Sequence, residues 1–397
     1  MNPAANEIAA LHLKPGRDKP VRQRHPWIMS GAVAKVVGDP QPGDDVRVIA
    51  ASGEHIASAS YSPHSSIRAR VWTTDVDQEI DEEFVKRRIH AAVLRRTSHI
   101  DGKHTCRLVF AESDQLPGLI VDRYGEVVVM QLNTVGVDRW RNVIAHALAD
   151  IDGVSCVYER SDTSDREREG LEPRIGVVTG CLPEQVFAIE DGLRFHVSVE
   201  SGHKTGYYVD QRDSRRLLAS LAPGARVLNV FAYTGSFSVV AMKHGAASVT
   251  TIDSSGPALD LYRRNAELNG VDAGEIIEGD AFELLRRLRD RRAQFDIVIL
   301  DPPKFAASSK HVERAARSYK DINLLGAKLL APNGHMLTWS CSGAVDAALF
   351  QSIVAGAALD AKRDLRIVQR LGQPFDHAVL LSFPEGEYLK GLHLRAT

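Results

Sequence analysis

The chain has 397 residues, 44% hydrophobic and 25% charged, which is too long for one ordinary core and excludes the fibrous and disordered classes. Its 49 lysines and arginines stand against 51 aspartates and glutamates, a formal net charge of −2. That balance excludes a surface coated in positive potential, so any nucleic-acid contact must come from a local basic patch.

The N-terminal stretch "MNPAANEIAALHLKPGRDKP" holds no apolar run of signal-peptide length, and no run in the chain reaches about 18 apolar residues. The expected compartment is the cytosol, with no membrane partner. Four cysteines, at 106, 156, 181 and 341, show no C-x-x-C pairing and no grouping with histidine. Reduced thiols are expected, and no metal. Residues 12–35 carry Lys14, Arg17, Lys19, Arg22, Arg24 and Lys35 against Asp18 as the single acid, a candidate basic patch or an ordinary solvated face.

Residues 1–74 read as a small β-rich module: "DDVRVIAA", "HIASASYS" and "SIRARVWT" cluster β-formers between the turn signals "PQPG", "SGE" and "SPHSS". The acidic "DVDQEIDEEF" then leads into "FVKRRIHAAVLRR", whose apolar residues recur at helical spacing, so a boundary is set near 75. From about 105, "CRLVFAESD" and "LIVDRYGEVVVMQL" predict strands with a hairpin at "DRYGE". A helix over "VDRWRNVIAHALADI" and the strand "VSCVYERSD" complete a central α+β domain over 75–188. From 189 to 397 strands and helices alternate strictly, from "RVLNVFAYTG" through "SVTTIDSS", "GEIIEGDAFELLRRL" and "FDIVILDPP" to "GHMLTWSCSG". This predicts α/β architecture with a mostly parallel, doubly wound, Rossmann-like sheet, closed by an antiparallel edge hairpin over "HAVLLSFPEGEYLKGLHLR".

In such a sheet ligands bind beyond the carboxyl ends of the strands, where strand order reverses. The first strand ends in "AYTGSFS", where Gly235 admits a close backbone approach and Phe231 and Tyr233 offer walls. The next ends in Asp253, about 20 residues on, where a carboxylate can accept both hydroxyls of a ribose. Asp280 follows the third strand, suited to an adenine amino group, and Asp301, two prolines and Lys304 follow the fourth. Neither G-x-x-x-x-G-K-[ST] nor a full G-x-G-x-x-G is present, which disfavours ATP and NAD relative to a cofactor without pyrophosphate. This order of groups describes S-adenosylmethionine in a class I methyltransferase, with Thr234 and Ala281 completing the expected cofactor contacts. Each acid alone also reads as a helix N-cap.

"HPWIMSGAV", "YSPHSSIRARV", "GHKTGYYVDQRDSR", "VLNVFAYTGSFSV", "LDPPKF" and "SCSG", in that order, resemble the RlmI-type cytosine-C5 methyltransferases of large-subunit ribosomal RNA, over essentially the whole chain. The resemblance implies an N-terminal PUA domain for RNA over 1–74, the central domain, and a C-terminal methyltransferase domain. It implies 23S rRNA or a large-subunit precursor as partner; Arg22, Arg24, Lys204 and the His25-Pro26-Trp27 step are the candidate RNA contacts. Tyr207, Asp210 and Gln211 would lie against cofactor or target base. Homodimerisation stays open, since no segment argues for it.

Carbon 5 of cytosine is a poor nucleophile, and a thiolate adding to carbon 6 makes it one, whereas guanine nitrogens need no such help. By resemblance Cys341 of "SCSG" supplies that thiolate and Asp301 contacts cytosine N3 or N4. Lys304 would lower the thiol pKa or hold a phosphate; it stands where some RNA cytosine-C5 enzymes carry a second cysteine. A guanine methyltransferase of the same fold, and an RNA-binding or assembly factor without catalysis, are the competing readings.

Overall fold

The computed structural model describes residues 9–97, 104–305 and 312–397. The first eight residues, part of the N-terminal stretch read above, lie outside that range. The chain forms two compact units: residues up to 190 with 197–209 and 375–386, and residues 191–196 with 210–374 and 387–397.

The first unit begins with β1 (Ala10–Leu13), α1 (Lys19–Arg22), β2 (Trp27–Met29), β3 (Val33–Val37), β4 (Asp45–Ile49), β5 (His55–Tyr61) and β6 (Ile67–Thr73). The strands make one sheet in the order β2-β6-β5-β4-β1-β3, in which β1 and β4 run parallel and the other neighbours antiparallel. After α2 (Glu82–Thr97) come β7 (Cys106–Phe110), β8 (Leu119–Tyr124), β9 (Val127–Leu132), α3 (Val135–Arg139), α4 (Arg141–Ala149), β10 (Cys156–Ser161), α5 (Ser164–Arg168) and β11 (Arg174–Gly180). These strands form a second sheet, β11-β10-β9-β8-β7. Val85, Ile89, Ala92 and Val93 put the apolar stripe of α2 into one core with Leu108, Val121, Met130 and Leu148. The hairpin at "DRYGE" forms as its sequence demands: Tyr124 pairs with Val127, and Gly125 takes a φ of 60° at the first turn position.

Two short strands, β12 (Val186–Glu190) and β13 (Leu193–Val197), precede the second unit's main elements. Those are α6 (Arg212–Leu221), β14 (Arg226–Val230), α7 (Ser236–Lys243), β15 (Ser248–Asp253), α8 (Gly256–Leu268), β16 (Glu275–Glu278), α9 (Ala281–Asp290), β17 (Phe295–Leu300), α10 (Val312–Leu329), β18 (Leu330–Ser340), α11 (Ala347–Ala361), β19 (Leu365–Leu371) and β20 (Lys390–Ala396). The seven strands β14 to β20 order as β16-β15-β14-β17-β18-β20-β19. Only β20 runs against its neighbours. Near-continuous apolar strands such as "FDIVIL" follow from burial on both faces. The strand order reverses between β14 and β17, which fixes where a ligand crevice opens.

The expected antiparallel hairpin over "HAVLLSFPEGEYLKGLHLR" is corrected. β20 is not at the edge: it is inserted between β18 and β19, and its hairpin partner is β19. Residues 375–386 belong to the first unit instead. Buried Asp376 holds them there, accepting from the Arg107 amide at 3.0 Å while its carbonyl accepts from Arg96 Nη2 at 3.0 Å. Satisfying that buried carboxylate outweighs the strand propensity of "HAVLL".

Within the sheet, Gly391 of β20 faces Trp339 of β18, and a Cβ there would come within 2.3 Å of the indole. The glycine lets the two strands close over a fully buried tryptophan. Further along, His335 and His393 share a 2.8 Å hydrogen bond between Nδ1 and Nε2, and His393 Nδ1 has no partner among the described residues. Burial lowers the pKa of both rings, His393 to about 4. A histidine depressed in the fold but near 6.5 when unfolded takes up its proton first in the unfolded chain, so its stabilisation is present above pH 6.5 and lost as pH falls toward 4. Denaturant titrations should show His393 alone costing up to about 3 kcal/mol across that window, a slope that His393→Gln removes.

Candidate active site

The loop after β14 is built from backbone turned the unusual way. Phe231, Tyr233 and Gly235 have φ of 61°, 51° and 72°. Two non-glycine residues held in the left-handed region mark a turn over-determined by its surroundings, as binding loops often are. Gly235 cannot be replaced without movement, since a Cβ would meet the Tyr262 ring at 2.0 Å. Below the loop, buried Asn229 donates to Ser238 Oγ at 2.9 Å and Ser238 bonds Thr251 at 2.8 Å, pinning α7 to the strands beneath.

Asp253 closes the turn from the next strand. Its Oδ2 accepts from the Tyr233 amide at 2.7 Å and its Oδ1 from the Ser255 amide at 2.9 Å. Each carboxylate oxygen keeps a second acceptor site, so the half-buried group is oriented yet still able to receive two ligand hydroxyls. Asp280 is exposed and caps α9, accepting from the Glu283 amide at 3.0 Å. The capping role weighed from sequence is therefore real, and Asp280 Oδ1 serves it; the amide of Ala281 opens the same helix. Thr234 is buried, with its carbonyl held by Asn265 at 3.0 Å.

Asp301 follows β17, half-buried, and Gln211 Nε2 donates to its Oδ2 at 2.9 Å. Asp210 is fixed next door by the Tyr388 hydroxyl at 2.6 Å. Lys304 is exposed beyond the prolines. β17 and β18 are parallel neighbours with Leu300 level with Thr338, so Asp301 and Cys341 leave the sheet at the same carboxyl edge. Cys341 is half-buried.

Three neighbours of this edge escaped the sequence reading. Phe305 packs on Tyr319 at 4.8 Å between ring centres, and the Tyr319 hydroxyl bonds Ser342 Oγ at 3.0 Å, tying the "DPPKF" loop to "SCSG" through α10. Lys390 donates from Nζ to the Ser342 carbonyl at 2.9 Å and is only 8% exposed. The signal for Lys390 was its parity: it shares a strand face with Leu392 and Leu394, where a lysine is out of place.

The remaining predicted residues lie in the first unit. Tyr207 is buried there; nearby Thr205 accepts or shares hydrogen bonds with Tyr124 at 2.8 Å and donates to Asp122 at 2.6 Å. Lys204 stands 4.3 Å over the Tyr208 ring. Arg22 is spoken for by acids, with Nε to Asp18 at 2.7 Å and Nη2 to Glu54 at 2.5 Å, while Arg24 is exposed. Trp27 is a packing residue: its indole donates to Glu112 at 2.8 Å and its ring meets Phe383 at 4.9 Å. A cavity of about 870 Å³ in the same unit is lined by Asp39, Asp44, Asp45, Asp77 and Glu79 together with Arg47, His55 and Arg139, and Arg139 pairs with Asp44 at 3.2 Å.

Fold and crevice together define the class, a methyltransferase of Rossmann-like fold that depends on S-adenosylmethionine: residues 172–386 match the S-adenosylmethionine-dependent methyltransferase family, and residues 11–74 match the PUA-like domain. Two solved structures share the architecture along the chain. One, from Streptococcus mutans, is described as a methyltransferase dependent on S-adenosylmethionine (TM-score 0.84, 21% identity, 97% of this chain and 99% of that one). The other is described as a methyltransferase and was solved with S-adenosylhomocysteine (TM-score 0.85, 21% identity, 97% and 99%). Nearer in sequence are proteins named ribosomal RNA large subunit methyltransferase I, from Aeromonas hydrophila (45% identity, 98% of this chain, 99% of the relative) and Alteromonas mediterranea (46%, 98% and 99%). The chain belongs to the ribosomal RNA large subunit methyltransferase I family.

Proposed function

We propose that this chain methylates carbon 5 of a cytosine in 23S rRNA, or in its large-subunit precursor, through a Cys341 adduct at carbon 6, in the cytoplasm. The observation that carries the reading is the shared carboxyl edge of β17 and β18, where a half-buried thiol and a carboxylate oriented by Gln211 leave the sheet together. In this reading residues 1–74 are the RNA-binding domain, 75–188 the central domain and 189–397, apart from the segments 197–209 and 375–386 that pack in the first unit, the transfer domain, with RNA contacts drawn from Arg24, Lys204 and, where its acids release it, Arg22.

The residues fit the cofactor. The left-handed turn at 231–235 admits close backbone approach, and Asp253 retains acceptor capacity for a ribose. Phe231, Tyr233, Thr234, Gly235, Asp253, Asp280 and Ala281 would hold S-adenosylmethionine, which supplies an electrophilic methyl group when bound. Cys341 acts as a thiolate on carbon 6 and moves electron density to carbon 5, which alone makes that carbon a nucleophile. Asp301 meets the N3/N4 edge, and a proton shared between its carboxyl group and N3 neutralises the negative charge that the thiolate brings to the ring. Lys304, solvated at the loop tip, is suited to a phosphate of the extruded nucleotide. After transfer the carbon 5 proton passes to solvent, its bonding pair restores the ring double bond, and the Cys341 sulfur leaves carbon 6 as thiolate.

Nucleoside mass spectrometry of rRNA from a deletion strain tests this. The strain should lack one 5-methylcytosine, restored by the wild-type gene and not by Cys341→Ala. Loss of a methylguanosine instead would favour guanine as target, and an unchanged nucleoside profile would favour a binding factor.

A further inference from the structure

A free cysteine has a pKa near 8.5 and is mostly protonated at neutral pH, yet only the thiolate adds to carbon 6. Lys304 is exposed, where water screens its charge. We propose that Lys390 is the positioning residue that holds Cys341 as a thiolate, an inference that rests on the reading of Cys341 as nucleophile.

Lys390 lies across the ladder from Ser340, the residue before Cys341, and its Nζ donates to the carbonyl of Ser342, the residue after it. The "SCSG" turn is thus clasped by one side chain. That side chain is buried, and the strand pairing that seats it depends on the close fit of Gly391 against Trp339. The charged and titratable groups that act on Lys390 are Cys341, Glu387, Asp346 and Lys304. Burial pushes the ammonium toward its neutral form, and Cys341, Glu387 and Asp346 pull it back. Glu387 and Asp346 are exposed, and Asp346 also caps α11 by accepting from the Leu349 amide at 2.8 Å. The thiolate is the partner these neighbours leave to a buried cation, since a buried charge is tolerated only when it is paired. Tyr319, whose hydroxyl is pushed up in pKa by burial, stays neutral and fixes Ser342 without competing for the charge. The thiol proton goes to solvent before substrate arrives.

The test needs no RNA, so its failure is separate from failure of the cytosine reading. Iodoacetamide labelling of Cys341 is followed against pH, peptide by peptide, with exposed Cys181 as reference and S-adenosylmethionine affinity as the check on folding. The wild-type thiol is expected to titrate below about 8.5. Lys390→Met should raise its pKa by about one unit or more, slowing labelling at pH 7 by about tenfold. Lys390→Arg should restore it, and Lys304→Met should leave it within a few tenths of a unit. A wild-type value at or above that of free cysteine overturns the proposal whatever the variants do. So does an unchanged pKa in Lys390→Met. Should methionine cost the fold, Lys390→Gln, which keeps a donor to Ser342 without the charge, takes its place with the same two outcomes.

Discussion

Cys341→Ala is expected to lose methyl transfer to large-subunit rRNA by a factor of about 10⁴ or more while binding S-adenosylmethionine within about twofold of wild type. The asymmetry follows from the fold. Cys341 leaves β18, whereas the turn and carboxylate suited to the cofactor leave β14 and β15, on the far side of β17. A half-buried thiol replaced by a methyl leaves little void, so the variant should fold. What is lost is the covalent step, and cytosine carbon 5 offers no lone pair to replace it. Transfer of a radiolabelled methyl group to isolated rRNA, beside a calorimetric titration of the cofactor, measures both quantities. Retention of transfer within tenfold would point to a target atom with its own lone pair.

Asp253→Ala should weaken S-adenosylmethionine binding by about 100-fold or more. Two hydrogen bonds from ligand hydroxyls to a charged carboxylate each contribute about 1.5–3 kcal/mol, and 1.4 kcal/mol is a factor of ten. The same carboxylate holds the amides of Tyr233 and Ser255, so its removal also frees a turn that two non-glycine residues adopt only under constraint. Asp253→Asn keeps an acceptor oxygen and should fall between wild type and alanine. At saturating cofactor the alanine variant should recover turnover to within about tenfold, because its fault lies in binding. An unchanged dissociation constant would remove Asp253 from the site.

Much of the second unit could be read from the chain alone because its cause is local. Parallel strands buried on both faces must be short and apolar, and helices between them must carry one apolar stripe, so the order from β14 to β18 is visible in hydrophobic pattern. Asp253 and Asp301 were legible for the same reason: the residue that ends a buried strand is the first that can be polar. Lys390 was not. Its strand looks like an edge hairpin in sequence, and only pairing on both sides reveals that position 390 is interior and clasps "SCSG". The segment 375–386 misled because its partners, Arg96 and Arg107, lie far back in the chain. β2 escaped because it is only three residues long, and β3 because none of its residues is buried. Gln211 acquires its role through a partner 90 residues away, a relation no spacing encodes.

The central claim is a covalent bond between Cys341 and cytosine carbon 6, and a 5-fluorocytidine trap reads it directly. Fluorine at carbon 5 cannot leave as a proton, so an enzyme that works by this adduct stalls on the substituted RNA. Incubating the protein with S-adenosylmethionine and 23S rRNA transcribed with 5-fluorocytidine should give a complex that survives denaturing electrophoresis, with the cross-linked nucleotide on the peptide containing Cys341. Absence of that complex, or an equal yield from Cys341→Ala, would contradict the account.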